Sequence, residues 1–369
     1  MKISPVPNKE RILFIDVLRA FAVIMMVQGH TIDVFLRKDY RDDVYVLYYV
    51  WNFMRGLTAP IFMFSAGTIF SYLFKAKNKP FSENPRAKKG IKRFFILLFF
   101  GYLLRYPDRA IVYFHTIKPE QWKTFFAIDV LQLIGFSILA LVFLEYISEK
   151  YKLNIYKVFA GSAIFFFLGN IFSTNIKWAN FIPLPIADYL YNGMGSNFPI
   201  FPWCGFVITG GILGNYLANN PLIYKEKKFF KNLFKIGTLL IIIGGAGDLV
   251  ELFLFGQSYF WSFSPNLIFV RIGLVLYLTT GISFLATKIE KLPKIVILLG
   301  QNTLLIYFVH VVILYGSAWN PGLVNYFDKA FNVGYSILAA ISMLVLMSLM
   351  VWFIDAFKRK HFRKLIKNA

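Results

Sequence analysis

The stretch DVLRAFAVIMMVQGH, Asp16 to His30, sets an acid, an arginine and a histidine inside an apolar run long enough to cross a bilayer. An ionisable side chain within a membrane helix costs a few kcal/mol on insertion scales, so such groups face a cavity or a partner rather than lipid. Arg19 and His30 are eleven residues apart. At about 100° per residue that leaves about 20° of net rotation over about 16 Å of rise, so both lie on one helix face. Asp16 precedes Arg19 by three residues and Asp33 follows His30 by three, so acids flank the same stripe within i,i+3 reach. The spacing predicts a polar track running along a membrane helix.

Outward from this stretch, apolar runs recur along the whole chain, at 12–36, 44–74, 91–114, 125–147, 155–172, 199–219, 233–255, 265–287, 294–315 and 333–357. They predict an all-α, polytopic transmembrane bundle of ten helices in one domain covering 1–369, with no stretch left for a sizeable soluble domain. The composition agrees: 57% of residues are hydrophobic and only 16% charged, against about 25% in a soluble domain. The net charge of +21 is distributed by position. The amino terminus, the connections 75–93, 148–157, 219–235 and 288–294, and the tail from Lys358 hold 28 of the 40 Lys and Arg; the other connections hold 7 and the helices 5. By the positive-inside rule the rich segments and both termini are cytoplasmic. Topology therefore accounts for the basic excess, and nucleic acid is not an expected partner.

Cys204 is the only cysteine, which excludes an intramolecular disulfide and a multi-cysteine metal site. No dinucleotide fingerprint, phosphate loop or HExxH zinc motif occurs, and no metal is expected. The first apolar run is too long for a signal peptide and has no small-residue cleavage site after it. GGILG and GGAG mark close helix packing or helix breaks. The compact domain without sorting signals points to a bacterial plasma membrane.

With this topology, further polar residues gather at the outer level reached by His30. Arg55 belongs to the second run; Arg105, Asp108 and Arg109 fall late in the third, near His115. Asp129 opens the fourth, Asp248 and Glu251 sit i,i+3 in the outer half of the seventh, Arg271 enters the eighth, and His310 lies late in the ninth. So many polar groups at one depth predict a hydrated outer cavity. Asp108, His115 and Glu251 are equally well explained as loop-proximal solvated charges, and His361 as a surface residue of the basic tail. In FPIFPWCGF, two prolines begin the sixth helix, and Phe201 and Trp203 suit either the interfacial aromatic belt or a sugar-stacking wall.

The spacing from Arg19 to His30 resembles the arginine-to-histidine signature in the first helix of the integral membrane acyltransferase superfamily. NFMRGLTAPIFMFSAG (Asn52 to Gly67), DVLQLIG (Asp129 to Gly135), FPIFPWCGFVITGGILG (Phe198 to Gly214) and GQNTLLIYFVH (Gly300 to His310) resemble one branch, the heparan-α-glucosaminide N-acetyltransferase-like proteins. The resemblance implies acyl transfer across the membrane, from cytoplasmic acyl-coenzyme A, acetyl-coenzyme A first, to a hydroxyl or amine of a sugar or glycan on the far side. It implies functional roles for Arg19 and His30, the histidine being the usual candidate for catalysis. Asp16, Arg55, Asp129, Gln132, Trp203, Arg271 and His310 are the matching or neighbouring candidates for substrate binding. The chain departs from the branch at one point: the lysosomal glucosamine acetyltransferases carry asparagine where this chain has His30. Their catalytic histidine lies somewhat further on, where this chain has none before Arg37, which pulls the reaction toward the O-acyltransferase relatives.

Acyl transfer from a thioester needs a base for the attacking group and stabilisation of the carbonyl oxyanion. His30 is the candidate base, with Asp33 to orient its ring, and Arg19 or Arg55 is placed to attract the anionic coenzyme or the oxyanion. Lys88, Lys89, Lys92 and Arg93 are candidates for its phosphates, although the positive-inside pattern alone accounts for them. His310 serves as a second acid or base, or holds the acceptor. The competing reading is a secondary transporter or flippase, which buried charges and interrupted helices would also serve. Against it, 12–172 shows no alignable repeat in 199–357.

Overall fold

The computed structural model describes residues 12–367 apart from 43, 110–114, 116, 194, 259, 261–263 and 290, with side chains described as far as 360. The amino-terminal basic segment, the last part of the expected third helix and the side chain of His361 lie outside the described residues. The fold is nearly all helix: α1 Leu13–Phe35, α2 Val46–Gly56, α3 Thr58–Lys75, α4 Pro85–Leu104, α5 Pro119–Phe126, α6 Val130–Lys150, α7 Ile155–Asn175, α8 Leu184–Leu190, α9 Ile200–Asn219, α10 Lys227–Phe255, α11 Pro265–Lys288, α12 Lys294–Gln301, α13 Thr303–Tyr315, α14 Val324–Phe327 and α15 Val333–Lys367. A two-stranded hairpin, β1 Gly316–Ser317 with β2 Asn320–Pro321, follows α13.

Among the described residues eight stretches are long and apolar enough to cross a membrane, α2 and α3 counting as one, and the α12–α13 pair, bent by 78° at its break, has the length and composition of a broken span or a re-entrant loop. The remaining member of the expected ten is α4. Its first half carries Arg86, Lys88, Lys89, Lys92 and Arg93, and its apolar half begins at Phe94. Asn84 caps it, accepting from the Arg86 amide, and Pro85 occupies the first turn, so the helix starts well before the apolar run does. It also stops earlier than expected, at Leu104 rather than 114, because Pro107 disfavours helical backbone just before it. Arg105, Asp108 and Arg109 therefore lie in the loop after α4, not in the helix.

The central helix is α1. On one side Phe14, Ile15, Leu18, Ala22 and Met26 enter a core shared with α3, α6, α7, α9 and α11. On the other, Ala20, Val23, Val27 and Val34 join a second cluster with α12, α13 and α15. A helix buried on two faces is apolar nearly all round, which explains why its few polar residues stand out in the sequence. Against it α3 and α9 pack backbone to backbone: a methyl group on Gly67 would fall 1.8 Å from the Val207 carbonyl oxygen, and one on Gly210 1.9 Å from that of Phe64. By contrast α10 packs on α11 and leaves most of its surface, Phe253 and Leu254 included, facing outward. We call the end of the bundle bearing residues 36–45 the outer end, following the charge distribution.

Candidate active site

His30 lies in the second-last turn of α1, and the end of that helix is tied down from two directions. The Arg41 guanidinium donates to the Asp33 carbonyl at 2.6 Å and the Leu36 carbonyl at 2.8 Å, and Lys329 donates to the same Asp33 carbonyl. Cations on the last carbonyls satisfy groups the helix leaves open and suit the negative end of its dipole. The Asp33 carboxylate pairs with Arg41 at 3.1 Å and Arg55 at 3.4 Å, so it faces arginines rather than the His30 ring it is expected to orient. Arg55 in turn passes over Gly29 and lies against the Trp51 ring.

The partner of His30 is another histidine. Nδ1 of His30 is 3.0 Å from Nε2 of His310, which is wholly buried, and Nδ1 of His310 is 2.6 Å from the Ile306 carbonyl oxygen. A carbonyl only accepts, so His310 carries its proton on Nδ1 and presents a bare Nε2; His30 then donates through Nδ1 and keeps its own Nε2 unprotonated. The relay fixes the tautomer a base needs. The same α1–α13 seam has a second rung lower down, where Arg19 donates to Thr303 Oγ1 at 3.0 Å. Thr303 opens α13 just after the break at Asn302, and seven residues later on the same face comes His310.

His30 forms the floor of a cavity of about 1050 Å³ that opens at the outer end. Its walls include Asp33, Arg55, Arg105, Asp129, Trp203, Arg271, Tyr307 and Tyr315. A narrower space of about 190 Å³ continues from His30 along Met25, Met26, Gly29, Thr58 and Phe62 toward the inner side. Asp129 caps α6, accepting from the Val130 amide at 2.7 Å, and pairs with Arg105 at 3.2 Å. Gln132 completes this cap by accepting from the Asp129 amide at 3.3 Å; it is buried and does not line the cavity. Asp16 is buried lower on α1, where its backbone meets Gly300 of α12, away from the outer cavity. Arg19 is likewise at the lower rung.

The structure thus brings together His30, Asp33, Arg55, Asp129, Trp203 and Arg271, with His310 directly behind His30, and sets Asp16, Arg19 and Gln132 apart. Asp248 and Glu251 are not part of the cavity: Asp248 accepts from Ser258, and Glu251 accepts from Ser264 and Asn266, tying α10 to the start of α11. His115 is exposed. Sequence reasoning missed Arg41, Tyr307 and Tyr315. The Tyr315 and His30 rings meet edge to face with centroids 5.9 Å apart, and the Tyr307 and His310 rings do so at 5.7 Å. The GQNTLLIYFVH segment was the available signal for Tyr307, three residues before His310 on the same helix.

Among the described residues no group of three or more His, Cys, Asp or Glu is placed to hold a metal ion. No curated protein and no solved structure matches the chain. A family profile does, the one described as heparan-alpha-glucosaminide N-acetyltransferase, catalytic; it matches residues 11–247, which include His30, Arg55, Asp129 and Trp203 and end before Arg271 and His310. This match covers more than half of the chain, and the chain belongs to the heparan-α-glucosaminide N-acetyltransferase catalytic-domain family.

Proposed function

We propose that the protein is a plasma-membrane acetyltransferase that takes acetyl from acetyl-coenzyme A on the cytoplasmic side and delivers it to a sugar or glycan at the outer end. The observation that carries this reading is the Ile306–His310–His30 relay at the floor of an open cavity, which leaves His30 Nε2 as an acceptor of protons. The acceptor hydroxyl or amine gives its proton to Nε2 as its oxygen or nitrogen bonds to the thioester carbonyl carbon. The carbonyl π electrons move to oxygen, and the resulting oxyanion faces the Arg55 guanidinium across the cavity. Collapse restores the carbonyl and breaks the carbon–sulfur bond, and the imidazolium returns the proton to the departing coenzyme thiolate.

The donor's arm is served by the narrow space along Met25, Met26 and Phe62, whose apolar walls suit a pantetheine chain. The basic first half of α4 is the surface for the coenzyme's phosphates. The test is acetyl transfer from radiolabelled acetyl-coenzyme A by the purified protein in liposomes, with a crude envelope-glycan fraction as acceptor, for wild type and His30→Ala. Acceptor-dependent transfer lost in a variant that still folds and binds coenzyme A is the expected result. A wild type that neither binds nor turns over coenzyme A overturns the reading and leaves the transporter alternative.

A further inference from the structure

Three arginines line the outer cavity and two of them have a carboxylate partner: Arg55 has Asp33, which it shares with Arg41, and Arg105 has Asp129. The third, Arg271 of α11, has no hydrogen-bond or ion-pair partner among the described residues and no charged neighbour acting on it. An unpaired guanidinium at membrane depth is costly, and the cost is relieved by an anion. Phosphate fits best, because the planar fork of arginine engages two of its oxygens at once.

Arg271 also lines a second space of about 410 Å³, together with Tyr49, Asn52, Phe53, Gly56, Leu57 and Leu267. This side space lies between α2 and α11 and shares Asn52, Gly56 and Arg271 with the main cavity, so the guanidinium borders both. Gly56 borders both spaces: a methyl group there would stand 3.8 Å from Arg271 Nη2, at ordinary contact distance, so a side chain as bulky as phenylalanine would compete for the space beside the guanidinium. The helix on one side of the gap presents an exposed apolar surface. No residue of α2 is buried, and Val46, Leu47 and Val50 are 72%, 87% and 53% exposed. Phe53, Leu57 and Leu267 make the remaining wall apolar, so the gap joins a hydrocarbon environment to a cation and then to the cavity over His30.

We propose that the acceptor is a lipid-linked phosphate. Its hydrocarbon chain lies in the gap between α2 and α11, its phosphate on Arg271, and the polar group beyond the phosphate in the main cavity facing His30. This deepens the acetyltransferase reading by naming the acceptor's chemical class, and it rests on that reading only for which group is acetylated. Binding itself is independent of turnover.

The test is binding of farnesyl phosphate to the full-length protein in phosphatidylcholine nanodiscs, read by native mass spectrometry and by the shift in melting temperature. Farnesol and inorganic phosphate are parallel ligands, and wild type, Arg271→Gln, Arg271→Lys and Gly56→Phe are the proteins. The expected result is saturable binding of farnesyl phosphate to wild type and at least tenfold weaker binding of farnesol. Arg271→Gln should lose at least tenfold and Arg271→Lys less. Gly56→Phe, which fills the gap and leaves the charge in place, should also lose at least tenfold, and decides the matter if Arg271→Gln does not fold. Equal binding of farnesyl phosphate to Arg271→Gln or Gly56→Phe overturns the proposal. So does inorganic phosphate binding as tightly as the lipid, which would make the site one for a soluble anion. His30→Ala should bind farnesyl phosphate like wild type, so failure of acetyl transfer and failure of this site are separate results.

Discussion

At the scale of single residues the proposed mechanism gives the two histidines unequal tasks. His30 lines the cavity, whereas His310, wholly buried behind it, hydrogen-bonds to His30 and to the Ile306 carbonyl and would act by holding His30 in one tautomer. His30→Ala is expected to remove general-base catalysis, a loss of about 10²–10⁴-fold in kcat. His310→Phe keeps a ring of similar bulk but leaves His30 Nδ1 without its acceptor. The expected result is a lower kcat with KM for acetyl-coenzyme A little changed, checked by steady-state kinetics of both variants; a change in KM alone would contradict a positioning role.

Asp188 on the short helix α8 makes a second prediction at this scale. Its side chain is buried, and burial pushes its carboxyl up to about 6 despite the favourable Ser196 hydroxyl and Arg105 guanidinium nearby. A folded-state value above the unfolded one means the folded protein holds the proton more tightly. The associated stability is present below pH 4 and is lost as pH rises through 6. Asp188→Asn is therefore expected to melt higher than wild type at pH 7.5, by about 1–3 kcal/mol, with the gap shrinking toward pH 4.5. Melting curves of the pair across that range check it, and a constant gap would sink the account.

At the scale of elements, the α3–α9 contact depends on glycine. Gly67→Val would drive a side chain into the Val207 carbonyl, and no rotamer avoids a clash that begins at the first carbon. The expected outcome is loss of monodisperse protein on size-exclusion chromatography. Gly161 on α7 has open space around it, so Gly161→Ala should express and elute like wild type and melt no lower, since alanine is the better helix former by about 1 kcal/mol.

Helices and their starts were legible in the sequence where a local rule decides them. Asp129 followed by Gln132 is a capping box, and Ser264 before Pro265 is a cap with proline in the first turn. The break at Asn302 was missed although a local signal stands there: Gly300, Gln301, Asn302 and Thr303 interrupt the apolar run 294–315, expected as one helix. The shared face of Arg19 and His30 followed from helical arithmetic alone. What met that face did not: Thr303 and His310 lie some 280 residues away in sequence, and only packing pairs them. Asp33 shows the opposite limit. Its i,i+3 spacing from His30 was suggestive, yet Arg41, from the following loop, and Arg55 claim its carboxylate at shorter electrostatic cost.

At the scale of the whole molecule, the orientation rests on the placement of basic residues, and it is open to direct measurement. Cys204 is buried, so in a Cys204→Ser background single cysteines report sidedness without interference. Lys38→Cys is expected to react with a membrane-impermeant maleimide on intact cells, and Lys77→Cys only after permeabilisation; both positions are exposed. The reverse pattern would invert the topology and with it the side from which the proposed donor, acetyl-coenzyme A, would approach.

The relay behind His30 also bears on bioenergetics. An enzyme that works as proposed, admitting reactants from both faces of an energised membrane, runs the risk of becoming a proton leak. Here the chain of exchangeable protons stops at the Ile306 carbonyl, which has none to hand on, and the next polar rung, Arg19 with Thr303, is a separate contact on the seam. Along α13, then, a proton taken up by His30 has no hydrogen-bonded path onward past Ile306 among the described residues. In the proposed reaction that keeps the proton on the imidazole until the departing thiolate claims it.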